Sequence, residues 1–120
     1  VVPHLRLSDS SELLLRLRWL AILHGRLRGT LACSGGVHTA ADAIKAVMAG
    51  ASAVQLVSVL LHEGPARLST LTREFTNWMA EHEYASLAQM RGSMSLGRCP
   101  DPAAFERGNY VKLLQTWRPR

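Results

Sequence analysis

The sequence predicts an α/β fold organised around the stretch from Thr30 to Leu61. Three observations predict it: two short β-compatible runs, a glycine turn directly after the first run, and a helical pattern of about three turns between them. Two strands joined through a helix form a βαβ unit, in which the strands are parallel and the crossover is right-handed. The expected order is helix, strand, helix, strand and then further helices.

An extended lead-in over residues 1–8 and one helix are expected before this stretch. Asp9 and Glu12 have the spacing of a capping box, and the run from Glu12 to His24 then predicts a helix that ends near Gly25. Apolar residues surround most of this helix. A helix with so wide an apolar surface needs other elements on more than one side.

Local signals mark the βαβ unit itself. The first strand is expected over Thr30–Cys33 and the second over Ala53–Val57. Between them, Thr39 is the expected N-cap, Asp42 is the capping-box acid, and Gly50 ends the helix.

Three more helices are expected towards the carboxyl terminus. After a turn at residues 62–65, apolar residues at helical spacing between positions 68 and 79 predict an amphipathic helix. Ser86 opens a short helix at another capping box, and the last helix begins at Asp101 and continues to Trp117.

Two strands alone do not make a complete parallel sheet. Such a sheet is normally covered on both faces and belongs to a fold with more strands. Either the chain assembles with other copies, which predicts a homo-oligomer, or it is the C-terminal piece of a larger α/β protein. The start at Val1 without an initiating methionine favours the second interpretation.

Composition bounds the class of protein. With 48% hydrophobic and 19% charged residues, the chain is typical of a folded globular protein. Because no apolar run approaches the roughly 20 residues that span a bilayer, we expect a cytoplasmic protein with no membrane partner. The net charge of +5 comes from singly scattered arginines, which indicate solvated helix faces, with nucleic-acid binding as a weaker alternative. Cys33 and Cys99 show no metal-ligand spacing, so neither a metal site nor a disulfide is predicted.

A candidate anion site lies at the glycine turn. Gly35 and Gly36 follow the first strand, and Val57 and Ser58 follow the second. Parallel strands place their carboxyl ends at the same edge of the sheet, where such sheets bind ligands. In (β/α)₈ barrels, the loops after strands seven and eight form a phosphate site at this position. A tight turn would explain the glycines equally well.

The stretch ACSGGVHTAADAIKAVMAGASAVQLVSVLLHEGP resembles the last two βα units of the dihydroorotate dehydrogenases. These flavoproteins have an FMN-binding TIM barrel, in which a GGV or GGI turn follows strand seven. The flanking runs LRLSDSSELLLRLRWLAIL, EHEYASLAQMRGSMS and CPDPAAFERGNY are similar to those of the bacterial dihydroorotate dehydrogenase-like branch. The resemblance covers nearly the whole chain but only about the C-terminal third of the family's length. It implies that residues 1–120 are an incomplete part of a (β/α)₈ TIM barrel.

The resemblance also implies a cofactor and its ligands. Gly35 and Gly36 match the glycines whose amides hold the FMN phosphate, and Val57 and Ser58 match the pair that completes the site. The family often has glycine where this chain has Val57. The family's catalytic base, a lysine near the flavin and the orotate-binding asparagines all precede this chain, so no catalytic residue is expected in it. Cys33 is then an inert packed thiol.

The expected function is the FMN-phosphate-binding part of an oxidoreductase that converts dihydroorotate to orotate in pyrimidine biosynthesis. FMN and a small-molecule substrate are the expected partners of the full-length protein, and the chain alone is expected to be inactive. Residues 1–29 form the lead-in and first helix, residues 30–61 the phosphate cradle, and residues 62–120 the C-terminal helices. His38 is expected to be a solvated loop side chain, with a ligand contact as the alternative. The competing hypothesis is a non-catalytic phosphate-binding or assembly module that completes its sheet with another chain.

Overall fold

A computed structural model of the chain describes residues 3–104, 115 and 116. Strand β1 (Ala32–Ser34) pairs in parallel with strand β2 (Ala53–Gln55), with Cys33 opposite Val54. One helix connects the two strands, which confirms the predicted α/β class and the parallel pair.

Five α-helices and two 3-10 turns surround this pair in the described part of the chain. The helices are α1 (Leu13–Leu23), α2 (Ala40–Ala49), α3 (Ser58–Glu63), α4 (Arg67–Glu81) and α5 (Leu87–Met90), and the turns are Ser10–Glu12 and Leu96–Arg98. Residues 102–104 are helical, but most of the predicted last helix falls at 105–114 and 117, outside the described residues. Among the described helices, none has the length and apolar character needed to cross a membrane.

The structure corrects the predicted ends of both strands. Strand β1 includes Ser34, so the turn that follows consists of Gly35 and Gly36. Strand β2 ends at Gln55, and the segment that was expected to finish it instead leads into helix α3. The prediction of a strand up to Val57 was wrong because the short apolar run that follows Gln55 shows neither helical nor strand periodicity.

The caps of helix α2 are those predicted. The Asp42 amide donates to Thr39 Oγ1 at 3.2 Å, and the Thr39 amide donates to Asp42 Oδ2 at 3.0 Å. The Gly50 amide donates to the carbonyls of the last turn. These hydrogen bonds close both ends of α2.

The predicted capping box at Asp9 forms only in part. The Asp9 carboxylate accepts from the Ser11 amide at 2.9 Å and also from the Ser11 hydroxyl, and these bonds lower the pKa of Asp9. Glu12 instead pairs with Arg16 at 3.0 Å. Asp9 therefore caps a single 3-10 turn, and α1 begins directly after it.

Helix α2 lies at the centre of the core. It contributes Ala46 and Ala49 to the cluster with α1 and β1, Ala40 to the cluster with α3 and α4, and Ile44 to the cluster around Met90. Helix α1 shows the opposite pattern. In the part of the chain that the structure describes, three of its large apolar side chains remain exposed: Leu14, Leu15 and Trp19.

The imidazole of His24 lies against the backbone at two glycines. A Cβ atom on Gly50 would lie 2.6 Å from the Cβ of His24, and one on Gly92 would overlap its Nε2. The Gly92 amide donates to the Val47 carbonyl at 3.0 Å, which holds that loop against α2. His24 thus fills the space between the end of α2 and the loop after α5.

Candidate functional site

A cleft of about 100 Å³ lies at the carboxyl ends of β1 and β2. Its lining includes all four residues predicted from the sequence: Gly35, Gly36, Val57 and Ser58. Ser8, Ser34, Val37 and Gln55 complete the lining. The parallel pairing of the strands brings the two predicted pairs together, because it places both strand ends at one edge.

The Gly-Gly turn forms one wall of the cleft, and its backbone requires glycine. Gly35 and Gly36 have φ angles of +82° and +78°, in a region that side chains disfavour. A Cβ on Gly36 would lie 2.7 Å from the Leu13 backbone nitrogen. A Cβ on Gly35 would lie 2.8 Å from the guanidinium of Arg16. The turn therefore packs directly on the start of α1.

The start of helix α3 forms the opposite wall. Val57 is its N-cap and offers no side-chain hydrogen bond, whereas the capping box of α2 closes that helix. The first amides of a helix have no intrahelical acceptor, and they lie at the positive end of its dipole. The uncapped start of α3 therefore presents backbone donors at the cleft.

Ser8 bonds to both walls of the cleft, although the sequence did not predict a role for it. The Gly36 amide donates to Ser8 Oγ at 3.2 Å, and the Ser8 amide donates to Ser58 Oγ at 3.1 Å. The hydroxyls of Ser8 and Ser58 are 2.8 Å apart. The Gly36 amide, which was expected to hold a phosphate, and the hydroxyl of Ser58 are thus both bonded to Ser8.

His38 supports the cleft from outside it. Its Nε2 donates to the Ser8 carbonyl at 3.0 Å, and because a carbonyl only accepts, Nε2 carries a proton. Its backbone amide donates to Asp42 Oδ2 at 3.1 Å. The side chain is half-buried and bonded within the protein, rather than solvated as expected.

Arg16 brings positive charge to the back of the Gly-Gly turn. Its Nε donates to the Ser34 carbonyl at 2.5 Å, and its Nη1 donates to the Glu12 carbonyl at 2.6 Å. The carboxylate of Glu12 pairs with Nη2 at 3.0 Å. Arg16 therefore fixes the end of β1 relative to α1, with much of its charge already compensated.

Cys33 lies in the core and does not line the cleft. It is 2% exposed and belongs to the cluster between α1, β1 and α2. Burial raises the pKa of its thiol, which keeps the sulfur protonated and unreactive.

A parallel βαβ unit with a glycine turn and a helix start at one cleft is typical of phosphate-binding α/β proteins. The family model described as Dihydroorotate dehydrogenase matches residues 20–79, a range that contains both predicted pairs of cleft residues. The chain belongs to the dihydroorotate dehydrogenase family.

Similar curated proteins carry the name dihydroorotate dehydrogenase A (fumarate). The protein of Streptococcus pyogenes serotype M18 is 43% identical over 61 residues, and that of Streptococcus equi subsp. equi is 39% identical over 61 residues. The protein of Streptococcus agalactiae serotype V is 37% identical over 62 residues. Each match covers 51% or 52% of this chain and 20% of the relative. The matched region is thus about a fifth of the length of these relatives.

Proposed function

We propose that this chain is the part of an FMN-dependent dihydroorotate dehydrogenase that binds the phosphate of FMN. The parent reaction is the oxidation of dihydroorotate to orotate in pyrimidine biosynthesis. One observation carries the proposal: the Gly-Gly turn and the uncapped start of α3 line the same cleft. Family membership supports FMN as the source of the phosphate, because proteins of this family are flavin-dependent.

The chemistry of the cleft suits a phosphate. Backbone amides and hydroxyls line it, and the positive end of a helix dipole favours an anion. Its volume of about 100 Å³ exceeds the space that one buried water requires. The Val57 side chain is 61% exposed, and any residue except proline keeps its amide donor.

The residues of this chain bind and orient rather than react. When bound, FMN supplies the hydride-accepting chemistry of its flavin. The amides of Gly35 and of the first turn of α3 would hold the phosphate, and Arg16 and Leu13 keep the turn in place. Among the described residues that line the cleft, the side chains are hydroxyl, amide or aliphatic, so none offers a base at neutral pH. We also propose that the chain alone does not oxidise dihydroorotate.

We also propose that β1 and β2 are neighbouring strands of a (β/α)₈ barrel. Barrel enzymes often bind phosphate between the loops after strands seven and eight and a short extra helix, and the six-residue helix α3 suits that role. The exposed side chains of Leu14, Leu15 and Trp19 would be covered by the remaining barrel. This placement explains why α1, a helix with few polar side chains, leaves apolar side chains exposed.

Titration followed by ¹H–¹⁵N NMR tests the proposal. FMN and inorganic phosphate should both shift the amide signals of Gly35 and Ser58, and riboflavin, which has no phosphate, should not. Equal shifts with riboflavin and FMN would contradict a phosphate site. Dihydroorotate-dependent reduction of a dye by the chain alone would contradict its proposed inactivity.

A further inference from the structure

We infer that Ser8 is a positioning residue for the phosphate cleft. It ties the Gly-Gly turn to the start of helix α3 and thereby fixes the separation between the two groups of amide donors. This inference rests on the proposed function, since it concerns the affinity of the same cleft for phosphate.

The bonds of Ser8 connect segments that are far apart in the sequence. Ser8 Oγ accepts from the Gly36 amide, 28 residues away, and both its amide and its hydroxyl bond to Ser58, 50 residues away. Gly36 is buried and Ser58 is only 8% exposed, so water does not readily replace these bonds. One side chain thus couples the ends of β1 and β2 beyond the last pair of their ladder, Ser34 and Gln55.

Ser8 is itself held on both sides. His38 Nε2 donates to the Ser8 carbonyl at 3.0 Å. His38 is held in turn by the hydrogen bond from its backbone amide to Asp42 Oδ2. The next residue, Asp9, caps the turn that starts α1. Because its own backbone is anchored, Ser8 can hold the two walls of the cleft instead of following their motion.

The cleft volume distinguishes positioning from blocking. A side chain that competed with phosphate would fill the site, yet a cavity of about 100 Å³ remains with Ser8 as part of its wall. The two roles predict opposite effects of Ser8→Ala. Loss of a positioning residue weakens phosphate binding, and loss of a competitor strengthens it.

The test compares phosphate affinity in four forms of the full chain, measured by NMR titration with inorganic phosphate and with FMN. Ser8→Ala should bind phosphate about fivefold to tenfold more weakly, which corresponds to the loss of one or two hydrogen bonds. Ser8→Thr, which keeps the hydroxyl, should recover most of that affinity. Ser86→Ala is the matched control. It also removes a serine hydroxyl that accepts from a backbone amide, here that of Gln89 at the start of α5, away from the cleft. It should lower thermal stability without changing phosphate affinity.

A second variant covers the case in which Ser8→Ala does not fold. His38→Ala releases the Ser8 carbonyl without touching the lining of the cleft, and it should weaken phosphate binding by about twofold to threefold. Unchanged or tighter phosphate binding in Ser8→Ala and His38→Ala would overturn the inference while the proposed function stands. An equal loss of phosphate affinity in Ser86→Ala would do the same. A wild-type chain that binds neither phosphate nor FMN would overturn both.

Discussion

Replacing Gly36 by alanine should destabilise the chain more than the same change at any glycine with open surroundings. A side chain at its φ of +78° costs about 1–2 kcal/mol. The new Cβ would also lie 2.7 Å from the Leu13 backbone nitrogen, and overpacking of this kind costs about 1–3 kcal/mol. The expected loss of unfolding free energy is therefore roughly 2–5 kcal/mol, a large part of the usual stability of a domain.

Gly25→Ala provides the matched control for backbone strain. Gly25 has the same φ of +78° as Gly36, but a Cβ added there would have no neighbouring atom within 4 Å, so only the strain of about 1–2 kcal/mol applies. The gain from a less flexible unfolded chain is common to both variants and cancels. Gly35→Ala should lie between the two, because its close neighbour is the Arg16 guanidinium, a side chain that can move aside only by giving up its hydrogen bonds to Ser34 and Glu12.

Urea denaturation followed by far-UV circular dichroism measures all three variants. We expect similar m-values and a midpoint that falls furthest for Gly36→Ala. Equal losses for Gly36→Ala and Gly25→Ala would refute the argument, since they would show that the contact with Leu13 carries no cost.

Three further predictions concern the thiol, the open helix start and the α2 cap. Burial raises the pKa of the Cys33 thiol, so its contribution to stability is fully present below the ordinary thiol pKa of about 8.5 and is lost as the pH rises. The urea midpoint should therefore fall as the pH rises above that value. The fall should be less steep for Cys33→Ala, which has no thiol to ionise. Val57→Asp should strongly weaken phosphate binding, because its carboxylate adds negative charge at the start of α3 where the phosphate would lie; unchanged phosphate affinity in the NMR titration would contradict this. Thr39→Ala should cost about 1 kcal/mol in urea denaturation, and more than Ser86→Ala, whose helix has only four residues.

Features encoded by neighbouring residues could be predicted from the sequence. The capping box of Thr39 and Asp42 spans three residues, and Gly50 ends the same helix, so local spacing suffices. The meeting of Gly35 with Val57 was also predictable, because parallel pairing dictates which strand ends share an edge.

The missed features depend on contacts over long separations or on runs without periodicity. Helix α3 was not predicted, and the strand before it was extended to Val57, because the short apolar run after Gln55 shows no repeat. The role of Ser8 depends on partners 28 and 50 residues away, which no local pattern contains. His38 was expected to be solvated for the same reason, since its partner is the carbonyl of Ser8. The remaining barrel strands stay a prediction.

The packing of His24 against two glycines links the evolution of three positions. With histidine at position 24, any side chain at Gly50 or Gly92 collides with the ring, so both positions are restricted to glycine. A smaller residue at position 24 would remove the overlap at Gly92, which involves only ring atoms, but it would keep the contact between its own Cβ and Gly50. A substitution at Gly92 should therefore be less harmful after a change at His24, with the strain of its φ of +71° remaining, whereas Gly50 stays restricted to glycine.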